Sequence, residues 1–153
     1  MKVNLEPGAA GSARVVLYED HEDARDWVAS VRANSGTATG RLADFQDIIL
    51  PNKAALDNLL DQQGAPPELL IVDLKIGGDH NAGFEAIERF RKTCAADTVP
   101  IVVFSVVDTK DVVARAYELG ATSFVKKPAN ENRKVDALTE IFVYWLEHDK
   151  RLA

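Results

Sequence analysis

Short apolar runs alternate along the chain with longer segments that carry apolar residues on one helical face. The apolar runs predict five strands, over residues 14–18, 45–50, 69–73, 100–105 and 121–125. The amphipathic segments predict five helices, over residues 23–32, 53–62, 84–91, 111–119 and 133–149. Runs without polar alternation, such as 69–73, are typical of parallel strands covered on both faces. The pattern predicts a single α/β domain with a doubly wound, five-stranded parallel sheet and five helices.

The first residues differ in composition from the rest of the chain. Residues 1–13 contain a Pro-Gly-Ala-Ala-Gly-Ser stretch and no apolar run of signal-peptide or membrane-spanning length. We therefore predict a flexible N-terminal leader over residues 1–13 and the folded domain over residues 14–150. A second stretch rich in turn-forming residues, 34–40, predicts a break between the first helix and the second strand.

Charge and cysteine content narrow the function classes. The 153 residues include 18 Lys and Arg against 24 Asp and Glu, a formal net charge of −6. This balance disfavours direct binding to nucleic acid or to an anionic membrane. Cys94 is the single cysteine, so neither an intrachain disulfide nor a cysteine metal cage can form. We expect a cytoplasmic protein. The first predicted strand is followed by neither of the glycine-rich nucleotide-binding motifs.

Charged and hydroxyl side chains follow the predicted strands where a doubly wound sheet has its site, beyond the carboxyl ends. Glu19 and Asp20 follow the first strand, Asp73 ends the third, Ser105 ends the fourth and Lys127 follows the fifth. Carboxylates brought together in one cleft repel one another and favour a cation. An all-oxygen set suits Mg²⁺, which keeps waters and accepts phosphate oxygens.

The same residues predict phosphoryl chemistry. Lys127 supplies a mobile positive charge and Ser105 a hydroxyl donor, and both suit an incoming phosphoryl group. Asp73 is the predicted nucleophile, because it ends the central strand alone and can offer one oxygen to the metal and one to phosphorus, whereas Glu19 and Asp20 are better placed to hold the metal. Taken singly, Glu19 and Asp20 could simply favour a helix N-terminus, Ser105 could be a turn residue and Lys127 a solvated charge. Their joint placement favours a site.

Four segments together resemble the receiver domain of CheY-like response regulators: Tyr18-Glu-Asp20, Ile71-Val-Asp73, Val103-Phe-Ser105, and residues 120–128 with Lys127-Pro128. The resemblance spans about residues 14–148. It implies a switch rather than an enzyme, which accepts a phosphoryl group on Asp73 from a histidine kinase or a phosphotransfer protein. It also implies Mg²⁺ bound by Glu19, Asp20, Asp73 and the backbone carbonyl of Lys75. Ser105 and Lys127 would hold the phosphoryl oxygens, and Ser105 and Phe124 would be the switch residues.

Three features depart from the family pattern. Gly77 stands where the family has a proline, and Gly83 lies ten positions after Asp73, which predicts a two-residue insertion in this loop. Lys75 places a cationic side chain beside Asp73. Val106 is bulkier than the usual small residue and predicts narrowed access to Asp73. These departures keep open an alternative, a pseudo-receiver that acts as a phosphorylation-independent interaction module.

The C-terminal residues 142–146 resemble the aromatic end of single-domain regulators paired with bacterial phytochrome kinases. On a helical wheel the stripe that docks on the sheet contains Val135, Leu138, Ile141, Phe142, Trp145 and Leu146. Val143 and Tyr144 fall outside this stripe. We therefore expect them to form a partner face, for a homodimer or a downstream protein target, in a chain with no separate output domain.

Overall fold

The computed structural model describes residues 13–36, 38, 40–62, 64–95 and 98–149. Residues 1–12 of the predicted leader therefore lie outside the described residues, and Ala13 belongs to the first strand. Among the described residues, no helix has the combination of length and hydrophobicity that crossing a membrane requires.

The predicted fold class is confirmed. The strands are β1 (Ala13–Tyr18), β2 (Phe45–Leu50), β3 (Leu69–Val72), β4 (Ile101–Ser105) and β5 (Ser123–Lys126). The helices are α1 (Ala24–Asn34), α2 (Gly40–Ala43), α3 (Lys53–Asp61), α4 (Ala82–Thr93), α5 (Lys110–Glu118) and α6 (Glu131–Val143), followed by a π-helical turn (Tyr144–His148). The five strands form one parallel sheet in the order β2-β1-β3-β4-β5. This order brings β3 to the centre, as its unbroken apolar sequence predicts.

Two apolar layers cover the sheet, because alternate residues of each strand point to opposite faces. On β1, Val16 and Tyr18 pack with α3, α4 and α5, whereas Val15 and Leu17 pack with α1 and α6. Phe90 of α4 and Phe142 of α6 are buried in the first and second layers respectively. The two layers hold the strands from both sides and bring their carboxyl ends to one edge.

The structure adds one helix to those predicted and corrects the end of the last one. The described chain has six α-helices where five are predicted, since α2 spans only four residues, too few to show a helical period. The last predicted helix is α-helical only as far as Val143 and continues as the π turn. In this turn the Asp149 N–H donates to the Tyr144 carbonyl. Arg41 of α2 donates to carbonyl oxygens of this turn, including those of Trp145 and Leu146.

The prediction that Val143 lies outside the packed stripe is wrong. Val143 is half-buried and packs against the layer formed by α1 and α6. It borders the stripe on an α-helical wheel, and it is the last residue before the wider π turn begins. Tyr144 is exposed, at 52% of its full area, and the partner face of Tyr144 and Val143 stays a prediction.

Candidate functional site

Three carboxylates meet at the carboxyl edge of the sheet. Glu19, Asp20 and Asp73 each offer an oxygen, and these oxygens lie within 4.8 Å of one another. Hydrogen bonds between neighbouring strands extend into the residues that follow them: Glu19 N–H donates to the Leu50 carbonyl, and Asp73 N–H donates to the Tyr18 carbonyl. The sheet therefore fixes the backbone of Glu19 and Asp73, and the sequence-predicted trio is brought together.

A buried ammonium completes the centre of the site. Lys127 Nζ lies 2.5 Å from Glu19 Oε1 and 3.3 Å from Asp73 Oδ2, and its side chain is only 7% exposed. The Lys127 N–H donates to the Ser105 carbonyl at 2.7 Å, which fixes the loop after β5 against β4. Aromatic rings shield this ammonium from water, since Nζ lies 5.8 Å from the Trp27 ring centroid and 5.5 Å from that of Phe104.

The second oxygen of Glu19 is held by the loop after β1. His21 N–H donates to Glu19 Oε2 at 3.3 Å, and the His21 imidazole lies 4.8 Å from the Trp27 ring, centroid to centroid. Trp27 Nε1 in turn donates to Glu131 Oε2 at 2.9 Å. These contacts join α1, the site and the first turn of α6, a connection that the helical spacing of Trp27 alone does not reveal.

The Asp73 carboxyl has a strongly shifted affinity for protons. Burial and the nearby Glu19 carboxylate raise the pKa of Asp73 from 3.8 to about 7, although Lys127 opposes this rise. A single ammonium therefore leaves the negative charge of the three carboxylates incompletely balanced.

The donor set fits a hard divalent cation. All three candidate side-chain ligands are carboxylates, as Mg²⁺ prefers, and they exceed the positive charge that Lys127 supplies. A cation between them would favour the ionised form of Asp73, whose pKa is raised by burial and by the Glu19 carboxylate. Lys75 is exposed, and its backbone carbonyl remains a predicted ligand.

Ser105 lies at the same edge but is engaged locally. Its side chain is buried, and Oγ accepts a hydrogen bond from the Val107 N–H at 3.1 Å. Val106 is exposed to 56% and Val107 to 47%, so the loop after β4 presents apolar side chains to solvent. Narrowed access to Asp73 at Val106 stays a prediction.

Phe124 and Tyr144 lie away from the carboxylates. Phe124 is half-buried in β5 and packs against the layer formed by α3, α4 and α5. Tyr144 makes an edge-on contact with the Trp145 ring at 4.8 Å between centroids. A shallow groove beside Tyr144 is lined by residues of β5 and α6, including Val125 and Ile141.

Gly77 contacts the site, although the sequence does not predict a site role for it. Its N–H donates to Asp20 Oδ2 at 2.8 Å. The adjacent Gly77 and Gly78 signal a tight turn, but the direction of a backbone N–H depends on the folded path of the loop. The sequence therefore locates the turn and cannot show that it reaches Asp20.

Solved structures with the same fold include several response regulators. The chain superposes with a TM-score of 0.76 on a phosphorylated cyanobacterial phytochrome response regulator, RcpA, at 19% identity, covering 93% of this chain and 99% of that one. It superposes with a TM-score of 0.75 on the Mn²⁺-bound form of response regulator Rcp1, at 24% identity, covering 92% and 99% of the two chains. These similarities establish the fold.

Sequence comparison extends the similarity to characterised regulators and to a whole family. The chain is 34% identical over 89 residues to the methanol utilization control regulatory protein MoxX of Paracoccus denitrificans. The match covers 58% of this chain and 39% of that protein, so the chain spans well under half of its relative's length. The family model for the response regulator receiver domain matches residues 15–139. The chain belongs to the response regulator receiver domain family of two-component systems.

Proposed function

We propose that this receiver accepts a phosphoryl group on Asp73 from the phosphohistidine of a kinase or phosphotransfer protein, with Mg²⁺ bound by the site carboxylates. The observation that carries the proposal is the grouping of Glu19, Asp20 and Asp73 within 4.8 Å at the sheet edge, with Lys127 in contact with two of them. Lys75 would add its backbone carbonyl to the cation's ligands. When bound, Mg²⁺ would offset the carboxylate charge and that of the phosphoryl oxygens.

The transfer replaces one bond to phosphorus by another. An oxygen of the ionised Asp73 carboxylate attacks the phosphorus, the P–N bond to the donor imidazole breaks, and the electron pair leaves with the imidazole nitrogen. The product is an acyl phosphate on Asp73 and a donor histidine free to take a proton from solvent. Since the pKa of Asp73 is raised to about 7, its proton must be displaced before this attack at neutral pH.

Lys127 and Ser105 would then hold the phosphoryl oxygens. Lys127 contacts both Glu19 and Asp73, and an added phosphoryl group would offer the ammonium a further anionic partner. Ser105 Oγ would give up the Val107 N–H and turn its hydroxyl toward the new group. Movement at Ser105 would change the packing beside it on β5, where Phe124 lies opposite Val103 in the β4–β5 register.

The altered surface would pass the signal to a protein. Tyr144 is exposed beside the groove between β5 and α6, and it would contact a second copy of the chain or a downstream target. RcpA, whose fold the chain shares, is a phytochrome response regulator, and together with the aromatic residues 142–146 this similarity supports a kinase of the bacterial phytochrome type as the donor. The proposed location is the cytoplasm, and the proposed chemistry is limited to self-phosphorylation and hydrolysis of the acyl phosphate.

Intact-protein mass after incubation with acetyl phosphate tests the acceptor. The wild-type protein should gain one phosphoryl group with Mg²⁺ and none with a chelator, and Asp73→Asn should gain none under either condition. Asp108→Asn is the matched control, because Asp108 is a partly exposed carboxylate outside the cluster, 3.7 Å from Lys126. It should label like the wild type.

A donor kinase extends the same test. If acetyl phosphate fails with the wild type, a purified histidine kinase should be supplied, because Val106 is predicted to hinder access. Labelling that persists in Asp73→Asn would contradict the assignment of the acceptor. No labelling with either donor would leave the phosphorylation-independent interaction module as the better account.

A further inference from the structure

We propose that the turn formed by residues 76–79 is a positioning element for the cation site, acting through the Gly77 N–H on Asp20. The proposal rests on the Mg²⁺ site proposed above and adds a residue to it. Gly77 N–H lies 2.8 Å from Asp20 Oδ2. A backbone N–H in the loop after β3 thus donates to a carboxylate in the loop after β1.

Asp20 differs from the other two carboxylates in how it is held. Glu19 and Asp73 both contact Lys127 and have little exposed side-chain area. Asp20 is exposed, and within the described part of the chain its carboxylate accepts one hydrogen bond, from Gly77. An exposed carboxylate with a free rotamer must lose that freedom when it binds a cation. The Gly77 N–H restrains Asp20 Oδ2 before the cation binds, so less side-chain entropy is lost on binding.

Backbone hydrogen bonds and two glycines define the turn that carries this donor. Ile76 and Asp79 exchange two backbone hydrogen bonds, of 3.2 and 3.0 Å, and so close a two-residue turn. Gly77 and Gly78 have φ values of +59° and +81°, as both central residues of a type I′ turn require. Residues other than glycine rarely adopt positive φ values, so the Gly77-Gly78 pair favours this turn.

The loop is anchored on its other side as well. Gly83 N–H donates to the Leu74 carbonyl at 2.9 Å, and a Cβ at Gly83 would lie 2.5 Å from the Asp73 carbonyl oxygen. The Arg115 guanidinium of α5 donates to Asn81 Oδ1 at 3.2 Å and stacks on the Phe84 ring. The position of the turn is therefore set relative to Asp73, and the distance from the turn to Asp20 follows from it.

An amide-to-ester replacement tests the donor without changing a side chain. Incorporation of glycolic acid at position 77 replaces the Gly77 N–H by oxygen. It also weakens the Ile76 carbonyl as an acceptor from the Asp79 N–H, so the matched control is the α-hydroxy-acid analogue of aspartate at position 79. That control removes the hydrogen bond from the Asp79 N–H to the Ile76 carbonyl and keeps the Gly77 N–H. The dissociation constant for Mg²⁺ follows from the dependence of unfolding free energy on Mg²⁺ concentration.

The ester at position 77 should weaken Mg²⁺ binding by about tenfold or more, the usual effect of removing a hydrogen bond that orients a metal ligand. The ester at position 79 should leave Mg²⁺ affinity near the wild-type value. In an Asp20→Ala background, the ester at position 77 should have no further effect on Mg²⁺ affinity, because its acceptor is gone. A general loss of stability would instead lower the free energy of unfolding without added Mg²⁺, which is the first point of the same Mg²⁺ concentration series.

Each other outcome is decisive. If the wild type binds Mg²⁺ and the ester at position 77 binds equally well or more tightly, the positioning role is overturned and the proposed site stands. Equal losses for the two esters, or an undiminished loss in the Asp20→Ala background, would show that the turn acts by general packing and would overturn the inference. If the wild-type protein shows no Mg²⁺ dependence, the proposed cation site fails and the inference fails with it.

Discussion

Replacing Asp73 by asparagine should stabilise the metal-free protein at pH 8 and leave its stability near pH 4 almost unchanged. The pKa of Asp73 is raised from 3.8 to about 7, mainly by burial and by Glu19. Between these pH values the folded protein holds a proton that the unfolded chain has released, so the free energy of unfolding falls as the pH rises. Asparagine has no ionisable group, so the unfolding free energy of Asp73→Asn lacks this fall with pH.

The size of the effect follows from the shifted pKa. A value of about 7 against 3.8 corresponds to a penalty on the order of 4 kcal/mol at pH 8, since one pKa unit is worth about 1.4 kcal/mol. This figure already contains the attraction of Lys127, which lies 3.3 Å from Asp73 Oδ2 and lowers the pKa. The advantage of Asp73→Asn should grow from near zero at pH 4 to its full size at about pH 7.

Urea unfolding in a chelator, at a series of pH values from 4 to 8.5, measures this difference. Asp108→Asn is the control, because its carboxylate is 45% exposed and pairs with Lys126 at 3.7 Å, a contact of little expected energetic consequence. Unfolding free energies of the wild type and Asp73→Asn that stay parallel across this range would refute the reasoning. Saturating Mg²⁺ should reduce the advantage of Asp73→Asn, because the cation stabilises the ionised wild-type site.

The other predictions concern the groups around Asp73. Mg²⁺ affinity, measured by calorimetry, should fall about tenfold per pH unit below pH 7, because binding must displace one proton from Asp73; an affinity independent of pH would contradict this. Gly83→Ala should destabilise the fold by about 1–3 kcal/mol in urea unfolding, because the new Cβ would meet the Asp73 carbonyl oxygen at 2.5 Å. Glu131→Gln should lower the free energy of unfolding, because it weakens the hydrogen bonds from Trp27 and Lys134; a neutral change would show that α1 and α6 are joined by apolar packing alone.

The sequence predicted the sheet because strand identity and strand-end chemistry are local properties. The run before Asp73 is apolar at every position, and β3 is buried at every position, so the short unbroken apolar run was enough to indicate a central strand. Parallel strands bring their carboxyl ends to one edge, and that rule was enough to group Glu19, Asp20 and Asp73. The positions of the strand ends were enough to predict this cluster, and side-chain conformations were not needed.

The features that the sequence did not predict depend on packing between distant segments. Helix α2 has four residues, and its Arg41 binds carbonyl oxygens near the C-terminus, more than a hundred positions away along the chain. The half-buried state of Val143 depends on where α6 gives way to the π turn. The bond from Gly77 to Asp20 likewise spans 57 positions. No local pattern reports such contacts, because each is fixed only when the whole sheet has assembled.

Lys127 connects the electrostatics of the site to its proposed switch. Its ammonium contacts both Glu19 and Asp73, at 2.5 Å and 3.3 Å, so Glu19 shares the positive charge that a phosphoryl group on Asp73 would require. A cation at the carboxylates would weaken the hold of Glu19 on Lys127 by competing for the same oxygens. The Lys127 backbone is fixed to Ser105, so the ammonium can change partners while the strands stay in place. The proposed cation would thus assist phosphorylation in two ways, by favouring the ionised form of Asp73 and by freeing Lys127 for the product.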